Sequence, residues 1–263
     1  MKHDSDDTGT ASIYRYLYAI VPRGLLLPAG LCGLDGQPVT LIDCAGAAAA
    51  VSASARLQLR PERAHLAAHQ SVVNALMSVA TVLPVAFGTI AQSDDELQQY
   101  IAESAEAIVQ QLAHVHGSAE FGLRVRLNVP DVFAYLAEML PELRAQRDAA
   151  FGNGRSPGHH ERIALGMQVE RALALLRERH AAQLLPALTT VCIDICRNPP
   201  RATGELLNLA CLVRRHDQQA FDDELSRAAS GFDDDVTFEI SGPWAPHHFC
   251  SIRFVSGDSD VRD

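Results

Sequence analysis

The stretch Ala80-Thr-Val-Leu-Pro-Val-Ala-Phe-Gly-Thr-Ile90 decides the fold. Thr81, Val82 and Leu83 run into Pro84, and Val85, Phe87 and Ile90 resume around Gly88. A residue before proline is pushed to extended geometry, and proline cannot donate to a sheet ladder. The spacing predicts a short buried strand with its middle on an edge or at a bulge, then a backbone bend at Gly88. Helical patterns lie on both sides, Pro61–Val79 before and Ser93–Val115 after. A greasy strand between two amphipathic helices is the core of an α+β domain, and nothing in this one is chemically reactive.

Working outward, Ile13–Val21 is apolar on both faces apart from Arg15, which predicts a central strand stopped by Pro22. Val39–Cys44 and Ala48–Ser52 flank Gly46 as a hairpin or as a strand entering a short helix. On the helix from Pro61, Leu66, His69, Val73, Leu76 and Ala80 form one apolar stripe. Ser93-Asp-Asp-Glu96 has the form of a capping box, opening a helix that runs to Gly117. Phe121, Leu123, Val125 and Leu127 alternate with polar residues as a half-exposed strand. Helical patterns cover Asp131–Ala150, broken at Pro141, and Glu161 to about Ile195, bent near Pro186. Leu206–Val213 reads as a central strand, Asp217 as the N-cap of a helix ending at Gly231, and Val236–Ile240 as a last alternating strand. Gly242 and Pro243 then turn the chain.

This order gives an α+β fold of two domains. Residues 1–11 form a disordered tail, 12–117 an α+β domain, 118–254 a ferredoxin-like domain with helices on one face of an antiparallel sheet, and 255–263 a flexible tail. The loop Gly152–His160 is the stretch best suited to move.

Composition excludes several functions. Of 263 residues, 22 are basic and 32 acidic, a net charge of −10, and the basic ones are nearly all scattered arginine. No nucleic-acid footprint is present. The acidic, polar N-terminus is the opposite of a signal peptide, and no stretch has the ~18 apolar residues of a membrane span. The chain reads as cytoplasmic, with its six cysteines reduced.

Chemical motifs are few. His65 and His69 lie one helical turn apart near Glu62 and could share a metal in a metal-dependent enzyme. The HExxH arrangement is absent, however, and His69 falls on the apolar stripe, where a hydrogen-bonded structural histidine belongs. Cys192 and Cys196 sit at i,i+4, a spacing for small buried residues on a helix rather than a redox pair. The pairs His159-His160 and His247-His248 read as solvated loops, and Asp233-Asp-Asp235 as a turn. There is no nucleophile elbow and no phosphate-cradling glycine loop. No catalytic residue, cofactor or metal site is assigned. Trp244, the only tryptophan, stands on a Gly-Pro turn ahead of Pro246 and Phe249 as an aromatic anchor.

Three segments, Tyr16-Leu-Tyr-Ala-Ile-Val21, Ala80–Thr89 and Ser241-Gly-Pro-Trp-Ala-Pro246, together resemble the gas vesicle proteins of the F/L type. Phe121-Gly-Leu-Arg-Val125 and Leu207-Asn-Leu-Ala-Cys-Leu-Val213 resemble the same family in the right order, so the likeness runs from about Ser12 to Phe254. Ala86 stands where the family often carries arginine, and Ala245 and His247-His248 replace a more usual Pro and Tyr-Ser. The resemblance implies a two-domain α+β fold, no known catalysis, and a place as an accessory or minor component of gas vesicle formation. It also implies binding to the small hydrophobic shell protein, or scaffolding of other accessory proteins. Pro84, Phe87, Trp244 and Phe249 are the candidate partner-binding residues. Their basis is physical: a holder of an aggregation-prone subunit needs an open edge or exposed apolar patch on a charged surface.

Overall fold

The computed structural model describes residues 14–152 and 156–252. The two tails, and the centre of the loop between Gly152 and His160, lie outside them. The chain forms two compact units: residues up to Ala119 together with those from Trp244 onward, and Glu120–Pro243.

In the first unit, β1 (Tyr14–Pro22) is followed by β2 (Thr40–Asp43) and β3 (Ala47–Ser54), a hairpin turned at Gly46. That settles the open alternative at Val39–Ser52. Next come α1 (Arg63–Val79), β4 (Leu83–Pro84), β5 (Ile90–Ala91), α2 (Asp94–Glu103) and α3 (Ala105–His114). The sheet order is β2-β3-β1-β4, with β5 also paired to β1. All these pairs are antiparallel.

The expected strand at Ala80–Ile90 is thus an interrupted edge. Leu83 and Pro84 pair with Ile20 and Ala19, Ile90 and Ala91 pair with Tyr16 and Arg15, and the chain loops out between them. β1 is buried from Tyr16 to Val21, paired with strands on both edges and packed against α1. The capping at Ser93 forms, its hydroxyl accepting from the Glu96 N–H, while the Glu96 carboxylate reaches back one residue further, to Gln92. The single expected helix to Gly117 is two, joined at Ser104.

The second unit begins with β6 (Ser118–Leu127), whose first two residues are shared with the first unit. It continues with α4 (Val132–Met139), α5 (Pro141–Phe151), α6 (His159–Leu188), β7 (Asp194–Asn198), β8 (Glu205–Arg214), α7 (Gln218–Ala229) and β9 (Val236–Trp244). Asp131 caps α4 by accepting from the N–H groups of Phe133 and Ala134, and Pro141 opens α5, where its missing N–H is harmless. The sheet order is β7-β8-β6-β9, so β8 is central and buried along nearly all its length. The succession is the β-α-β-β-α-β of a ferredoxin-like unit. α6 and α7 pack on each other and both on β8, which puts them on one face of the sheet.

Three readings are corrected here. α6 stops at Leu188, and residues expected to extend it to Ile195 turn and become β7. Cys192 and Cys196 therefore do not share a helix; Cys196 pairs with Ala210 across the ladder. His159 and His160 belong to the first turn of α6, not to a loop. Strand β9 continues through Gly242 and Pro243 to Trp244.

Candidate functional site

In the first unit, β1 brings Tyr16 and Tyr18 into the core, two residues apart, and α1 lays His69 against both rings. The polar atoms of this cluster are paired. Tyr16 Oη accepts from the Gly88 N–H at 3.1 Å and lies 2.9 Å from His69 Nδ1, and His69 also bonds the backbone of Val85. Tyr18 Oη lies 2.8 Å from Ser52 Oγ and accepts from the Leu34 N–H.

Burial holds the His69 pKa down to about 4; the nearby His247 adds to this and the Val85 carbonyl opposes it. Burial likewise pushes both tyrosines up. His69 is a neutral structural group here, held by Tyr16 and the Val85 backbone. His65, one turn earlier, lies 3.5 Å from Asp35 instead. Among the described residues no three His, Cys, Asp or Glu side chains converge as a metal site.

This cluster fixes the loop between β4 and β5. Gly88 adopts φ +87°, a conformation other residues rarely take, and in doing so aims its N–H at Tyr16. Phe87 packs half-buried, edge-on to Tyr16 and His69, and Ala86 is exposed.

The C-terminal segment belongs to this unit too, although the sequence placed it with the second domain. Ala245 is fully buried in the same core as Tyr16, Tyr18 and Val72. Pro246 is buried, Phe249 half-buried in a short 3-10 turn, and the Ser251 N–H donates to Gln111 on α3. Trp244 is 42% exposed. Of the four candidate residues, Pro84 is buried opposite Ala19 and presents no ring to solvent. The other three share the unit, and Trp244 offers the most aromatic surface.

The sequence missed a second surface. α5 and α6 run antiparallel along a groove of two adjoining cavities, about 420 Å3 beside Leu140, Leu143, Ala172 and Leu175, and about 320 Å3 beside Ala150 and Leu165. On α6, Ile163, Met167 and Leu175 are 49%, 53% and 73% exposed, out of phase with the buried Leu165, Leu173 and Leu176. Apolar residues on two faces of one helix were the available signal.

The class these features define is a two-unit α+β protein with apolar side chains presented on folded frames. Among the described residues no helix is long and apolar enough to cross a membrane. The profile of the family described as "Gas vesicle synthesis protein GvpL/GvpF" matches residues 14–251, and the chain belongs to that family. It is 27% identical over 227 residues to gas vesicle protein F of Streptomyces sp. (strain CB03234), covering 85% of this chain and 93% of that one. It is 29% identical over 264 residues to gas vesicle protein L of the same strain, covering 95% and 96%. Its fold is similar to the crystal structure of GvpF from Microcystis aeruginosa, with TM-score 0.75 at 21% identity over 91% of this chain and 99% of that one. GvpF from Anabaena sp. PCC7120 gives TM-score 0.73 at 20% identity over 92% and 98%.

Proposed function

We propose that this chain is an accessory protein of gas vesicle formation that acts without catalysis, binding the hydrophobic shell subunit and limiting its aggregation while the vesicle nucleates. It works in the cytoplasm, at the forming vesicle. The observation that carries the reading is Trp244, a large exposed ring whose next residue is locked in the core. Such an anchor loses little conformational freedom on binding, and tryptophan is among the residues enriched at interface hot spots. The net charge of −10 keeps a loaded complex dispersed.

Capture of the shell subunit by the immobilised protein tests this. Trp244→Ala should weaken capture by about 2 kcal/mol, roughly thirtyfold. Undiminished capture removes the segment from the reading, and no capture by the wild type removes the reading. A separate apolar groove on the second unit favours a second reading, a scaffold joining other accessory proteins. Pairwise binding assays against those proteins decide it.

A further inference from the structure

We propose that α6 is also a self-association surface, on which a second copy of the chain crosses antiparallel at Gly166. This does not depend on the shell-subunit reading.

Gly166 stands two turns inside a 30-residue helix, an interior position where glycine costs about 1 kcal/mol relative to alanine. A Cβ built there meets nothing within 4 Å. No group of this chain therefore needs the glycine, whereas a helix arriving from outside gains a closer approach from it.

What identifies the visitor as another copy is the charge on either side. Arg162 and Glu170, both exposed, lie four residues before and four after Gly166, about 6 Å along the axis each way. A two-fold axis through Gly166 makes the helices antiparallel and brings Arg162 of each copy level with Glu170 of the other, so the face complements itself. In the single chain Arg162 has no ion pair described, and Glu170 has only Arg177 at 3.6 Å. Exposed Ile163 and Met167 border the crossing and supply the apolar surface that the charges orient. One helix crossing falls short of the ~800 Å2 per partner of a standard interface, so the dimer forms weakly and with concentration.

Sedimentation analysis of the full chain from about 1 μM to about 500 μM tests this. The wild type should shift from monomer to dimer across that range. Arg162→Glu alone and Glu170→Arg alone each place like charges at both contacts and should weaken the dimer about tenfold. An equimolar mixture of the two variants restores opposite charges at both contacts and should associate as the wild type does. A wild type that stays monomeric throughout overturns the proposal. So do single variants that dimerise as the wild type does, or a mixture that fails to. Circular dichroism of both variants, substituted at exposed positions, verifies the fold they share.

Discussion

Two buried histidines show how differently the units hold themselves together. His69, in the first unit, bonds Tyr16 through Nδ1 and the backbone of Val85. His180, on α6 in the second, stacks on Phe232 with ring centroids 5.2 Å apart, and its Nδ1 has no hydrogen-bond partner among the described residues. Burial lowers the pKa of each first of all. The first histidine ties a strand, a helix and a loop together through directed bonds; the second fills space. Polar specificity in one unit and apolar packing in the other should respond oppositely to substitution.

The largest expected effect is at the first. His69→Leu leaves the Tyr16 hydroxyl and the Val85 carbonyl without their partner and should destabilise the first unit by roughly 3–4 kcal/mol. Hydrogen exchange at the β1 amides reads this locally. Acid should act next. The His69 pKa is about 4 in the folded chain and about 6.5 in the unfolded one, so the unfolded state binds the proton first. Stability is intact above about pH 6.5 and falls by about 3 kcal/mol as pH drops toward 4. His69→Leu should flatten that part of the urea-midpoint profile. Tyr16→Phe removes the hydroxyl between Gly88 and His69 and should cost about 2 kcal/mol. The smallest change sharpens the contrast: His180→Phe removes an unpaired polar atom while keeping a ring on Phe232, and should be neutral or stabilise by up to about 1 kcal/mol. A loss of 2 kcal/mol there would show that the two histidines are alike after all.

Much of the fold was legible because local signals agreed with tertiary ones. The apolar faces of β1 and β8, the alternation in β6, a helix opening at Asp131 and Pro141 as a break all read correctly, and the structural role of His69 followed from its place on the α1 stripe. What failed depended on distant pairing. Cys192, Ile193 and Ile195 keep a helix-compatible spacing, and only the neighbouring β8 makes a strand of 194–198. Likewise, nothing near Ala245 says that a methyl group will enter a core built more than a hundred residues earlier. The candidate surface was half legible: Trp244 stands out by composition, whereas the groove between α5 and α6 exists only once the two helices lie side by side.

The late arrival of Ala245 has a consequence for biosynthesis. A ribosome releases Ala119 and must then make the whole second unit before supplying the residue that fills the first unit's centre, about 6–25 s later at 5–20 residues per second. During that interval the nascent first unit carries an open hole beside Tyr16 and Tyr18. Translation that stops before residue 245 thus leaves the first unit without that methyl group in its core.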